Sequence, residues 1–187
     1  MSSPLRWSGP AGRRLSALAL ALTLGVAGPG ALVTGAMPTV AAEVKEGDRA
    51  PEPRGGKDAD GKDFTLASLR GGWVVMTFGG SWCKPCKKEL PAWDKLAGKW
   101  AGKVTFVAIN LDHDPAKGKK FMDGLKLKNL LRVYAPEDKA PAADIYTPPS
   151  QPTSYVIDPR GVVKKLHTSY YKGDEDKMDK LLTGLVK

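Results

Sequence analysis

The stretch Trp73-Val74-Val75-Met76-Thr77-Phe78-Gly79-Gly80-Ser81-Trp82-Cys83-Lys84-Pro85-Cys86 decides how this chain folds. Trp73 to Phe78 is a short apolar run, bounded by Gly71-Gly72 and Gly79-Gly80, as expected of a strand covered on both faces. Beyond the cysteines, Leu90, Trp93, Ala97 and Trp100 recur at spacings of three and four, which predicts an amphipathic helix. Cys83 is thereby placed at a helix amino terminus, next to the end of a buried strand.

Further along, Val104 to Leu111 is a second buried strand, and Pro115 opens a helix carrying Phe121, Met122 and Leu125. Leu130 to Tyr134 is a strand and Pro141 to Tyr146 a short helix. Thr153 to Ile157 and Val162 to His167 form a hairpin around the turn Asp158-Pro159-Arg160-Gly161, and Met178, Leu181, Leu182 and Leu185 mark a final helix. Residues 43–63, rich in Pro, Gly, Asp and Lys, read as a loose lead-in with a turn at Asp60-Gly61. Strand–helix–strand units followed by a hairpin and a helix predict an α/β sandwich with a mixed sheet.

The two cysteines are separated by two residues. A structural disulfide more often closes a longer loop, and two cysteines do not complete a four-ligand zinc site. At a helix amino terminus, free N–H groups and the macrodipole favour negative charge, and Lys84 adds a positive one. Both stabilise the thiolate that attacks disulfides. Cys83 is therefore expected to be the exposed nucleophile. Cys86, one turn on, is expected to face inward and resolve the mixed disulfide. Pro85 sits where a missing N–H costs nothing. His113 and His167 lie far from the pair in sequence and read as surface residues.

The chain has 187 residues and a formal charge of +9. Arg6, Arg13 and Arg14 contribute three of those positives, in a first segment of 42 residues that carries no acid. The remaining bases are scattered among acids, which argues against a nucleic-acid partner. Residues 1–14 are polar and end in Arg13-Arg14, residues 15–36 are apolar and uncharged, and Val40-Ala41-Ala42 offers small residues for a peptidase. This order predicts a secretory signal cleaved after Ala42, followed by one domain over residues 43–187. The rival reading is an uncleaved anchor, against which Gly25, Gly28, Pro29, Gly30 and Gly35 weigh.

Trp82-Cys83-Lys84-Pro85-Cys86-Lys87-Lys88-Glu89-Leu90-Pro91 resembles the WCxPCxxExP signature of TlpA/ResA-type thioredoxin-like proteins. Gly47-Asp48-Arg49-Ala50-Pro51 and Gln151-Pro152-Thr153-Ser154-Tyr155-Val156-Ile157-Asp158 resemble that family's lead-in and its cis-proline strand. The resemblance implies a thioredoxin fold, a central mixed sheet flanked by helices, with an amino-terminal extension and an insertion over 112–146. It also implies that Pro152 is cis and faces the cysteines, and that the backbone of Gln151 pairs with an extended substrate. Glu89 would tune thiol pKa values and relay protons, and Pro91 would kink the helix. Trp82, Lys84, Pro85 and Thr153 complete the candidate substrate-contacting set. Two departures stand out. Phe78-Gly79-Gly80-Ser81 lacks the family's aromatic residue beside the motif, and Thr77 replaces the buried aspartate of cytoplasmic thioredoxins.

The function so implied is an exported, periplasmic or otherwise extracytoplasmic thiol–disulfide oxidoreductase with a Cys83/Cys86 redox-active centre and no cofactor or metal. It would act as a reductase of disulfide-containing exported proteins, apocytochrome c in cytochrome c biogenesis among them, and draw electrons from a membrane thiol reductant. A peroxiredoxin reading fails on Gly80, which stands where a Thr or Ser is needed three residues before the cysteine. The competing non-enzyme reading is an extracytoplasmic carrier holding Cu(I) on the two cysteines.

Overall fold

The structure is a computed structural model that describes residues 43–187. The signal-peptide reading falls on residues 1–42 and lies outside the described residues.

Six strands form one sheet: β1 (Lys57–Asp58), β2 (Trp73–Gly79), β3 (Val104–Asn110), β4 (Leu131–Tyr134), β5 (Thr153–Ile157) and β6 (Val163–Thr168). Their order is β1-β4-β3-β2-β5-β6. The pairs β2/β3 and β3/β4 are parallel, while β5 runs antiparallel to both β2 and β6. The helices are α1 (Cys86–Lys99), α2 (Pro115–Gly124), α3 (Ala142–Tyr146) and α4 (Asp174–Leu185). Helices α1 and α2 are the crossovers that parallel pairing demands. The sequence places every one of these elements except β1, with bounds that differ by a few residues.

Alternation along the strands sorts the core into two layers. Val74, Met76 and Phe78 of β2 join Tyr155 and Ile157 of β5 beneath α3. Val75 and Val156 point the other way, into a layer with Leu90 and Trp93 of α1, Met122 of α2, and Met178 and Leu182 of α4. Thr77 and Ser154 belong by the same alternation to the α1 side, and the register sets them directly opposite each other. That coincidence of strand period and register builds the site.

The lead-in departs from its expectation as a loose segment. Val44 and Ala50 are buried in the α3-side core. Arg49 bridges to Val162, and the Gly47 amide donates to the Val163 carbonyl at 2.8 Å. β1 pairs with β4 and covers the sheet's edge. Backbone hydrogen bonds need no apolar periodicity, so composition gave no sign of this stitching.

Tyr146 ties the lead-in to the core. Its ring packs 4.9 Å from Phe78 and 5.0 Å from Tyr155, and its hydroxyl donates to the Pro51 carbonyl at 2.6 Å. Tyr146→Phe keeps the ring contacts and leaves that carbonyl unpaired. Urea unfolding should show a loss of about 1–3 kcal/mol, with protease cutting first within residues 43–58. Unchanged stability would mean the lead-in is not held through this contact.

Candidate active site

Cys83 and Cys86 form a disulfide at the carboxyl end of β2. The helix begins at Cys86, with Pro85 as its N-cap residue, so Cys83 lies in the loop just before it. The Cys86 amide, one of the free donors of the first turn, points at Cys83 Sγ from 3.2 Å. A donor so placed is the kind that favours negative charge on a thiol at a helix amino terminus.

Cys83 does not match its expected exposure. It is 4 % exposed and Cys86 1 %. Bonded to Cys86, its sulfur turns inward, and the disulfide lies against the backbone of Gly79. A Cβ at Gly79 would collide with Cys86 Sγ. The residue that breaks the family pattern is therefore the one that lets the inner sulfur sit this close to the sheet. Gly80 has a related role, since a Cβ there would lie 2.7 Å from the Trp82 indole nitrogen. Trp82 folds back over Gly80 and still leaves 49 % of its surface exposed.

The loop is held from β3. Asp112 is buried, and its carboxylate accepts from the Ser81 amide at 2.8 Å, the Ser81 hydroxyl at 2.6 Å and the Asn110 amide group at 2.8 Å. Sequence reasoning missed Asp112 and Ser81. The available signal was an acid directly after an apolar strand whose neighbours all read as core.

Glu89 follows Cys86 by three residues, on the same face of α1. It has no exposed surface. One carboxyl oxygen accepts from Thr77 Oγ1 at 2.9 Å, and the other from Ser154 Oγ at 3.0 Å. Burial drives its pKa up to about 8, against the opposing pull of Thr77, Ser154 and Trp93. At neutral pH, in the disulfide state, Glu89 is mostly the neutral acid. A void of about 10 Å³ is lined by both Cys86 and Glu89, together with Thr77, Phe78, Gly79 and Leu90. This is close to the least room that one water molecule needs. The Thr77 substitution thus moves the buried acid from the strand to the helix and keeps a hydroxyl to bind it.

The Gln151–Pro152 bond is cis, and Pro152 immediately precedes Thr153, which pairs with Phe78. That register puts the proline loop beside Gly79 and the disulfide. Thr153 is fully buried and its hydroxyl donates to the Ser150 carbonyl at 2.7 Å. Its side chain shapes the loop instead of reaching a substrate. Lys84 is exposed beside the motif and Pro85 half-buried. Pro91 lies inside α1 and leaves the Lys87 carbonyl without its helical donor. His113 is an exposed partner of Glu137 and Asp138. His167, expected on the surface, is half-buried with its ring 5.8 Å from that of Trp93.

Residues 47–166 match the AhpC/TSA family. The chain belongs to this family. The thioredoxin-like protein YneN of Bacillus subtilis (strain 168) is 32% identical over 138 residues, which cover 73% of this chain and 80% of YneN. The thiol-disulfide oxidoreductase ResA of Bacillus anthracis is 34% identical over 108 residues, covering 57% of this chain and 60% of ResA, so the chain spans about three-fifths of that relative. A crystal structure from Chlorobium tepidum, provisionally assigned as a thiol:disulfide interchange protein DsbE, superposes with a TM-score of 0.69 at 25% identity, over 76% of this chain and 98% of that one. The thioredoxin-like fold and the TlpA/ResA-type resemblance both stand.

Two measurements probe the site. Removing the Asp112 carboxylate strands two donors from Ser81 and one from Asn110. Asp112→Ala should cost about 2–3 kcal/mol and speed amide exchange at residues 80–83; protection equal to wild type would show the loop is held by something else. For Glu89, the folded pKa lies above the unfolded value of 4.5. The native state then binds more protons between pH 4.5 and about 8. Its contribution is complete below pH 4.5 and declines as pH rises through that window. The oxidised protein should lose a few kcal/mol, as an order of magnitude, between pH 5 and 8, and Glu89→Gln should flatten that slope. An equal slope in the variant would place the titration elsewhere.

Proposed function

We propose that this protein is an exported thiol–disulfide oxidoreductase that reduces disulfides in other extracytoplasmic proteins. The observation that carries the reading is the Cys83–Cys86 pair with a fully buried, hydrogen-bonded carboxyl one helical turn away. In the reduced enzyme the Cys83 thiolate attacks a substrate disulfide, forming a mixed disulfide and expelling one substrate thiolate. Cys86 then loses its proton and attacks Cys83 Sγ. The Cys83–Cys86 bond forms, the second substrate thiolate leaves, and two electrons have passed to the substrate. Glu89, as the carboxylate before this step, is the acceptor for the Cys86 proton across the small void and becomes the neutral acid. Its neutral state beside the finished disulfide fits a group that has just taken up that proton.

Supporting a polypeptide substrate, the large hydrophobics exposed among the described residues are Trp82 and Tyr171. Trp82 adjoins Cys83. Tyr171 lies two residues past Ser169, whose amide donates to the Pro152 carbonyl at 2.8 Å. Trp82 is thus next to the motif, and Tyr171 is close in sequence to the residue bonded to the proline loop, where the Gln151 backbone would pair with an extended chain. Apocytochrome c, with its pair of haem-site cysteines, is one substrate of this chemistry, and a membrane thiol reductant is the electron source an oxidising compartment requires. Export rests on the charged, apolar and small-residue order of residues 1–42. None of the helices among the described residues is long and apolar enough to cross a membrane.

Cys86→Ala blocks the resolving step, so it should accumulate mixed disulfides through Cys83 with exported proteins. Mass spectrometry of those adducts should also read a mature amino terminus at Glu43. If Cys83 captures nothing while the wild type reduces no protein disulfide, the oxidoreductase reading falls; an intact Met1 in a membrane fraction would replace cleavage by anchoring.

A further inference from the structure

We propose that Trp93 and Ser154 are positioning residues that reserve one oxygen of Glu89 as a permanent acceptor, so that the exchangeable proton of this carboxyl sits on the other, facing Cys86. The proposal rests on the exchange reading above, and deepens it by assigning the proton path to one side of one group.

The argument starts from what each group is able to do. An indole nitrogen donates and never accepts. Trp93 has no exposed surface, and its Nε1 lies 2.9 Å from Ser154 Oγ. The ring is fixed by Tyr170, edge-on at 5.7 Å, and by His167. Ser154 is therefore placed to receive that hydrogen at hydrogen-bond distance. Its own hydrogen has one acceptor among the described contacts, Glu89 Oε1 at 3.0 Å. Trp93, Ser154 and Oε1 form a chain of donation that runs in one direction. Placing the carboxyl proton on Oε1 would set two hydrogens against each other and force the Ser154 hydrogen to turn into the core without a partner.

Oε2 is different. Its partner, Thr77, has no third group directing its hydroxyl among the described contacts. Thr77 also lines the void, as do Cys86 and Glu89, whereas Ser154 and Trp93 do not. A hydroxyl rotating there accepts from Oε2–H or donates to it, and either orientation keeps a neighbour. The closed side of the carboxyl is thus set by the helix-borne indole and β5, and the open side by β2 and the disulfide. Trp93 belongs to the amphipathic stripe that the sequence marks as core, and its N–H gives that position a second use.

Other titratable groups near the carboxyl are few. Cys86 faces it from the same helix. From the α4 side, the buried Asp174 opposes its ionisation, and Tyr170 stays neutral because burial raises its pKa. His167 lies behind Trp93, its Nε2 3.3 Å from Asp174, and burial lowers its pKa.

Infrared spectroscopy of the oxidised protein tests the assignment directly. The protonated Glu89 gives a carbonyl stretch, identified by its loss in Glu89→Gln. With the proton on Oε2, the carbonyl oxygen is Oε1, and the Ser154 hydrogen bond lowers its frequency. Ser154→Ala should raise that frequency, Ser154→Thr should restore it, and Thr77→Val should leave it nearly in place. Trp93→Phe keeps an aromatic ring, though a smaller one, and removes the donor. It should move the pH at which the band disappears upward by about half a unit to one unit, a three- to tenfold gain in proton affinity. The opposite pattern, with Thr77→Val moving the band and Ser154→Ala not, would overturn the assignment. An unmoved midpoint in Trp93→Phe would overturn the part given to the indole. If Ser154→Ala fails to fold, the Thr77→Val and Trp93→Phe spectra decide alone. The expected infrared pattern in a protein that reduces no disulfide would support the proton assignment and sink the exchange reading, so the two are separable.

Discussion

A carboxyl group with no exposed surface is bound between two hydroxyls that come from neighbouring strands. Most of the site follows from that arrangement. Thr77 and Ser154 are cross-strand partners, so their spacing is set by the sheet and not by flexible side chains. Strand alternation sends both toward α1, where Glu89 sits one turn after Cys86. A buried acid without such partners would cost several kcal/mol. With them it is retained, and burial favours its neutral form, the state a carboxylate reaches when it has taken up a proton from a thiol.

The disulfide depends on a second constraint, the absence of side chains at the end of β2. Gly79 lets Cys86 Sγ rest against the sheet, and Gly80 lets the Trp82 indole fold across the loop. Asp112 then fixes the loop's height by binding both the amide and the hydroxyl of Ser81 from just beyond the adjacent strand. Cys83, the proposed nucleophile, is consequently contacted by the Cys86 amide and covered in the oxidised state. Substrate access calls for the opening of a disulfide more than for the movement of a loop.

Much of this was legible in the sequence. The apolar run at 73–78, the glycines, the cysteine spacing and the helical stripe from Leu90 to Trp100 fix the fold around the motif, because each signal is local and periodic. The cis bond at Pro152 came only through family resemblance, since no local pattern specifies it. Ser154 and Asp112 were not found. Each is one polar residue in or just after an apolar strand, and its meaning depends on a partner 65 or 31 residues away. The lead-in was misread for a related reason: main-chain pairing is indifferent to side-chain composition. Cys83 was expected in the open because reactivity suggests access, yet a two-residue spacing turns the first sulfur toward the second.

The edges of the sheet bear on how the protein behaves in company. On one side β1, only two residues long, ends the ladder against β4. On the other, the lead-in covers the start of β6 at Val163, and the strand goes on with the exposed Lys164 and Lys165. Short edges and charged edges both discourage a further strand from adding on. A protein that engaged extended chains by their backbones, as proposed above, would run a standing risk of polymerising with them. Here strand pairing is discouraged at both ends of the sheet, and in the proposed reaction a substrate would meet the proline loop only until the disulfide closes.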